Sequence, residues 1–243
     1  MQVAALYDVH GNLPALEAVM SDPRLTQAEI IVSGGDLVMG PCPADCLDVL
    51  EADGRVRFLG GNGDREVWEL DEEGDLAEAA RWCNDRLGRE RLERVRAWPA
   101  TVELEVPGLG ATLFCHATPT SDLPILTGAT PDEDVARELG DVAAAAVVCG
   151  HTHVHYDRRV GRTRVVNAGS VGMPYEGSPE ARWAVLGLGG IELISTPYDA
   201  EAALEACRRT GFPLVEQWLE PALLGRVTAE EATESFEQRR RGT

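Results

Sequence analysis

Val3-Ala4-Ala5-Leu6-Tyr7-Asp8-Val9-His10-Gly11-Asn12 runs from an apolar tract straight into a carboxylate, an imidazole, a glycine and an amide. The apolar part, Val3 to Tyr7, reads as a buried strand. Asp8 to Asn12 breaks it, and Leu13, Leu16, Val19 and Met20 then recur at helical spacing, with Pro14 where a first turn tolerates it. The same rhythm returns twice. Ile30 to Ser33 ends in Gly34-Gly35-Asp36, with a helix after Pro43 carried by Cys46, Leu47, Val49 and Leu50. Val56 to Leu59 ends in Gly60-Gly61-Asn62-Gly63-Asp64. A repeating strand–loop–helix order implies an α/β fold whose parallel strands deliver their loops to one edge of the sheet.

Further along, Glu66 to Arg96 is charged and helical, with breaks expected at Gly74 and Gly88. Strands are predicted at Thr101–Val106, Ala111–Cys115 and Ala145–Cys149, with a short helix over Asp132–Leu139. Tyr156–Val160, Arg164–Val166, Trp183–Leu188 and Ile191–Ser195 lie close together with glycine turns between them, as antiparallel hairpins do. From Asp199 onward the chain reads as helical and polar. With no low-complexity linker and no internal repeat, residues 1–243 read as one domain with a helical extension from about 199.

Composition narrows the function. The 243 residues carry 41 acidic against 22 basic side chains, a net charge of −19, which opposes a grip on nucleic-acid phosphates or on an anionic membrane surface. Every basic residue is Arg, so a Lys Schiff base and a Lys-type P-loop are excluded. The longest apolar stretch, Val142 to Cys149, falls far short of the ~20 residues that span a bilayer. The N-terminal tract lacks a basic flank and is too short for a secretion signal. Six cysteines occur without a Cys-x-x-Cys pair, as expected of reduced thiols in a cytoplasmic protein.

The five histidines, at 10, 116, 151, 153 and 155, each follow a predicted strand closely. Asp8-x-His10 and His151-x-His153 would each put two ligands on one face of an extended segment. Asp36 and Asn62 follow glycine pairs that allow sharp turns. If the strands are parallel neighbours, two Asp, one Asn and four His converge. Imidazole and oxygen donors without thiolate suit Mn, Fe, Zn, Co or Ni. Seven donors exceed one tetrahedral ion and match two ions sharing a carboxylate. Such a centre would attract phosphate and acidify a bridging water.

Asp8-x-His10-Gly11-Asn12, Gly34-Gly35-Asp36, Gly61-Asn62-x-Asp64, His116 and Gly150-His151-Thr152-His153 together resemble the five ordered blocks of the calcineurin-like metallophosphoesterases. Asn167-Ala168-Gly169-Ser170-Val171-Gly172 resembles a further segment near the end of that fold. The resemblance implies a two-sheet sandwich flanked by helices around a dinuclear centre, with Mn favoured. On it, Asp8, His10 and His153 would bind one metal, Asn62, His116 and His151 the second, and Asp36 would bridge them. A hydroxide between the metals would then attack phosphorus in line.

Two departures refine this. The position after Asn62, where the family usually places a general-acid His, is Gly63, a gap shared with the small bacterial and archaeal YfcE-like phosphodiesterases, which this chain most resembles. A positioned general acid contributes ~10²–10⁴-fold, so its loss favours good leaving groups, and a diester also needs less charge neutralisation than a monoester. Asp36 is followed by Leu37-Val38-Met39-Gly40, without the Arg of the protein phosphatases. The expected activity is therefore hydrolysis of a small phosphodiester, with a monoesterase as the nearest alternative. A non-catalytic scaffold, like the retromer subunit with this fold, would show damaged ligands, and all seven are intact. Asp36, Asn62 and Asp64 form the catalytic set, Asp64 by orienting His116 or a metal-bound water or by capping a helix. Asn12, Arg65 and His155 are the candidate substrate contacts, with His155 at the pocket mouth. The 66–97 and 117–131 stretches should shape the pocket, and an oligomer is compatible with the sequence.

Overall fold

The computed structural model describes residues 1–69 and 73–242. Among these residues ten strands form two five-stranded sheets. In the first, β1 (Val3–Leu6), β2 (Ile30–Gly34) and β3 (Val56–Leu59) run parallel, Ala5 facing Val32 and Val32 facing Arg57. In the second, β4 (Thr101–Val106) and β5 (Gly110–Cys115) form a hairpin, β6 (Ala146–Cys149) runs parallel to β5, and β7 (Tyr156–Val160) and β8 (Thr163–Asn167) form another hairpin whose second strand lies parallel to β6. The last hairpin, β9 (Ala181–Gly187) and β10 (Gly190–Thr196), returns to the first sheet, giving orders 10-9-1-2-3 and 4-5-6-8-7.

Strand alternation explains how the layers stack. Val3, Ala5 and Tyr7 point inward with Val32 and Leu59, and meet Val106, Phe114 and Val148 of the second sheet. Ala4, Leu6, Ile31 and Trp183 point outward, beneath Leu16, Leu47 and Leu204. Leu113, Cys115, Val147 and Val165 face outward from the second sheet against Val135 and Leu139. Strands covered on both faces need apolar residues at every position, which is why β1 and β6 read as unbroken apolar runs. The outcome is the two-sheet sandwich flanked by helices that the family resemblance implied.

The helices are α1 (Leu13–Met20), α2 (Pro23–Thr26), α3 (Pro43–Glu51), α4 (Asn62–Glu66), α5 (Asp75–Arg96), α6 (Asp132–Leu139), α7 (Ala200–Thr210), a π-helical turn at Val215–Leu219, α8 (Glu220–Leu223) and α9 (Ala229–Gly242). Both glycine breaks fall where expected: Gly74, at φ 117°, precedes α5, and Gly88, at φ 68° and ψ 167°, interrupts it. The expected helix from Glu66 is corrected, since α4 ends there and the next begins at Asp75; residues 70–72 lie outside the described residues. The short α2 was not foreseen, although Asp22 before Pro23 is an N-cap signal and its side chain accepts from Arg24 N. All six cysteines are free thiols. Among the described residues no helix is long and apolar enough to cross a membrane.

Candidate metal centre

The seven sequence-selected donors sit beyond the C-terminal ends of five strands, three parallel in one sheet and two parallel in the other: Asp8 and His10 after β1, Asp36 after β2, Asn62 after β3, His116 after β5, His151 and His153 after β6. Their backbone differs from the extended segments expected. Asp8, His10, Asp36, His151 and His153 have φ between 46° and 66°, and they are the non-glycine residues with positive φ among those described. Side chains two apart therefore converge because each of the two donor residues takes a left-handed conformation beside a residue that does not, rather than because the segment is extended. Each such residue costs about 1–2 kcal/mol, so the five together approach the net stability of a domain. Strain of this kind persists only where the surroundings over-determine it. Here His10 N donates to Asp36 O at 2.8 Å, Gly172 N to Asp8 O at 3.1 Å and Ser170 Oγ to Asp8 O at 2.7 Å. Close approach adds a second constraint: a Cβ on Gly61 would overlap Asp36 Oδ1.

The ring nitrogens are sorted by function. His10 Nδ1 lies 3.1 Å from Met39 O, His116 Nδ1 3.1 Å from Gly34 O and His153 Nδ1 2.8 Å from Met173 O. A carbonyl can only accept, so each Nδ1 carries the proton and each Nε2 turns a lone pair inward. Those Nε2 atoms gather: His10 to His153 at 3.2 Å, His153 to Asp8 Oδ1 at 3.5 Å, and His116 to Asp36 Oδ2 at 3.6 Å. Asp36 Oδ2 is also 3.7 Å from His10 Nε2, while its Oδ1 accepts from Gly63 N at 2.7 Å. Asn62 Oδ1 lies 3.1 Å from His116 Nε2, oriented by its amide nitrogen on Glu66 at 3.3 Å. His151 places its ring 5.1 Å from that of His116, and its backbone N–H donates to Asp8 Oδ2.

The donors fit divalent ions. Asp8 Oδ1 is fully buried yet has no hydrogen-bond partner, a costly state unless a cation satisfies it. It belongs to both triads whose ligand atoms lie within 4.8 Å of one another: Asp8, His10 and His153, and Asp8, Asp36 and His116. Bonds of roughly 2.1 Å place neighbouring ligand atoms about 3.0–3.5 Å apart, so spacings of 3.2–3.7 Å need only small inward shifts.

Charge within the cluster is graded. Burial holds His10 below its usual pKa despite the Asp36 and Asp8 carboxylates. Burial, then the His116 charge, bring His151 down to about 4. For His116 burial opposes, but Asp36 and Asp8 outweigh it and raise the value. Burial would raise Asp8, yet the imidazoles of His153, His116 and His10 hold it well below the carboxylate range.

The remaining sequence candidates are bound into the framework. Asp64 is fully buried and accepts four backbone amides: Asp36 N at 2.8 Å, Leu37 N and Val38 N at 2.9 Å, and Gly61 N at 3.0 Å. It thus ties the β2 loop to the β3 loop and makes no hydrogen bond to His116. Burial and then the Asp36 charge push its carboxyl up to about 7, against the amides, which favour the carboxylate. Asn12 caps α1 through Ala15 N and donates to Gly172 O and Tyr198 Oη. Arg65 is paired with Asp122 and Glu69. His155 lies 2.8 Å from Ala168 O and 3.6 Å from Glu176, apart from the seven donors and not along a strand face with them. Sequence reading missed Glu66, which orients Asn62, and two aromatic neighbours: Tyr175, stacked on His153 at 4.7 Å, and Trp218, edge-on to His10 at 6.4 Å. The π-helical turn was the available signal for Trp218 only in the structure, since such turns favour functional sites.

A family model described as the calcineurin-like phosphoesterase superfamily domain matches residues 1–188. The chain belongs to the calcineurin-like phosphoesterase superfamily. The uncharacterised protein MJ0912 of Methanocaldococcus jannaschii is 25% identical over 249 residues, covering 92% of this chain and 98% of that protein. The metallophosphoesterase from Sphaerobacter thermophilus shares the fold with a TM-score of 0.72 at 24% identity, over 89% of this chain and 98% of that one. The hypothetical protein PH1004 from Pyrococcus horikoshii gives 0.78 at 18% identity, over 91% and 97%. Both similarities extend past residue 188, so the late helices share in the likeness of this chain to those structures.

Proposed function

We propose that this phosphoesterase is a dinuclear, metal-dependent hydrolase of small phosphodiesters, formed by a single domain with its helical segment from about 199 packed on it, and acting in the cytoplasm. The observation that carries the reading is the buried, unpartnered Asp8 Oδ1, faced by inward Nε2 atoms whose rings are fixed by backbone carbonyls. Two divalent ions, with Mn favoured, would be held by Asp8, His10 and His153 and by Asn62, His116 and His151, with Asp36 shared. When bound, they would supply a water acidified toward neutral pH and positive charge for the phosphoryl oxygens.

The chain's own residues do the rest. Gly63 N–H holds Asp36 Oδ1, leaving Oδ2 to face His10 and His116. The Nδ1–carbonyl bonds keep the imidazoles in one tautomer, which raises their basicity as ligands. A cavity of about 240 Å³ beside His116, lined by Thr118, Thr120, Ser121 and Asp122, offers the leaving group hydroxyls and no free cation. Gly63 supplies no proton, so the leaving oxygen departs as a stable anion, which favours aryl or enol esters. The net charge of −19 and the small cavity count against long nucleic acids.

The test pairs metal analysis of the purified protein with turnover of bis(p-nitrophenyl) phosphate and p-nitrophenyl phosphate. About two ions per chain and faster diester turnover are expected. Full activity after metal stripping and chelation would refute metal dependence; a monoester preference would refute the diester assignment.

A further inference from the structure

Resting on the phosphoester reading above, we propose that the Tyr175 hydroxyl donates a hydrogen bond to a phosphoryl oxygen of the bound ester and of the phosphate product. The ring is held in place before any ligand arrives. It stacks on His153 with centroids 4.7 Å apart and planes at 23°, and Phe236 of α9 lies 6.4 Å away. Its backbone is fixed too, since Tyr175 N donates to His153 O at 3.3 Å while His153 Nδ1 is bound to Met173 O. Upstream, Val171 N donates to Tyr7 O and Gly172 N to Asp8 O, so the whole segment is fastened to the loop that carries the first triad.

The hydroxyl itself makes no hydrogen bond with any described residue. A tyrosine hydroxyl ordinarily finds a partner when enclosed, and Tyr175, stacked on a donor imidazole, is half-buried rather than sealed in the core. A phenol carries its proton at neutral pH, so the hydroxyl is available as a donor.

The competing donors are already committed. The Asn12 amide serves Gly172 O and Tyr198, Arg65 serves Asp122 and Glu69, the Asn62 amide nitrogen serves Glu66, and His155 serves Ala168 O and Glu176. Gly63 has no side chain to offer. Tyr175 supplies from the His153 side a contact that the β3 loop lacks.

Tyr175→Phe keeps the stacked ring and deletes only the oxygen. Hydrogen bonds to charged groups contribute enough that kcat/KM for bis(p-nitrophenyl) phosphate should fall roughly 10- to 100-fold. Calorimetric affinity of the Mn-loaded protein for inorganic phosphate should fall over a similar range. Metal content and melting temperature should stay at wild-type values. Wild-type phosphate affinity in the variant would overturn the assignment, and so would a loss of metal, which would make Tyr175 a support for His153 alone. A wild-type protein that carries two ions but neither hydrolyses the ester nor binds phosphate would refute the functional reading itself.

Discussion

Asp64→Asn isolates one load on the centre. In the wild type Oδ2 accepts Asp36 N and Gly61 N, and Oδ1 accepts Leu37 N and Val38 N, at 2.8–3.0 Å. An asparagine has one oxygen, so whichever way the amide turns, two backbone N–H groups face an NH2. A buried donor left unpaired costs about 1–3 kcal/mol, hence ~2–6 kcal/mol for two. An opposing contribution comes from charge: the Asp36 carboxylate is one reason Asp64 resists ionisation, and Asn removes that repulsion. Bound divalent ions offset the Asp36 charge, so relief matters most without metal. Urea denaturation of both proteins, in chelator and in excess Mn2+, should therefore show the larger loss in the metal-loaded samples, with weakened metal binding adding to it. A loss below ~0.5 kcal/mol with Mn2+, or a larger loss in chelator, would refute this account of the Asp64 cradle.

Asp36→Ala should abolish turnover and lower metal stoichiometry with the circular dichroism spectrum retained, because one carboxylate faces both His10 and His116; activity within 10-fold of wild type would refute the shared role. Gly63 sits in α4 without a positive φ, so the obstacle to a side chain there is crowding: its Cβ would lie 3.0–3.1 Å from the Asp36 carboxylate. Gly63→Ala should accordingly weaken Mn2+ binding about 10-fold by equilibrium dialysis, and Gly63→His should gain monoester activity only relative to a reduced diester rate. His151 titrates at about 4 rather than 6.5, so the folded metal-free protein binds fewer protons there than the unfolded chain. Its contribution is complete above pH 6.5 and is lost as pH falls toward 4, about 3 kcal/mol in all; His151→Gln should flatten that part of the stability–pH curve, and an unchanged curve would refute the shift.

Much of the framework could be read locally. Val3–Leu6 and Ala146–Cys149 announce doubly covered strands, and Gly74 and Gly88 punctuate the long helix because their φ values of 117° and 68° suit no other residue well. The donors were legible since each closely follows a strand, and Asp36, Asn62 and His151 also directly follow a glycine. Their backbone was not, because a left-handed Asp or His looks like any other in a string of letters. Nor could the role of Asp64 be read, since three of its four partners come from residues 26 to 28 positions upstream and the fourth is Gly61. Tyr175 and Trp218 reach His153 and His10 across long sequence separations, through packing that periodicity does not encode.

The donors divide by sheet: Asp8, His10, Asp36 and Asn62 extend from the first, His116, His151 and His153 from the second. Below them Tyr7 Oη reaches across to Val148 O at 2.9 Å, one polar stitch in an otherwise greasy seam. Dispersion contacts in such a seam resist separation far better than sliding. If two ions were held there, they would act as a rivet against that sliding, since a shear of even an ångström would disrupt both triads at once. Metal loading should thus slow amide exchange in β1 and β6 together, making the two leaves move as one plate.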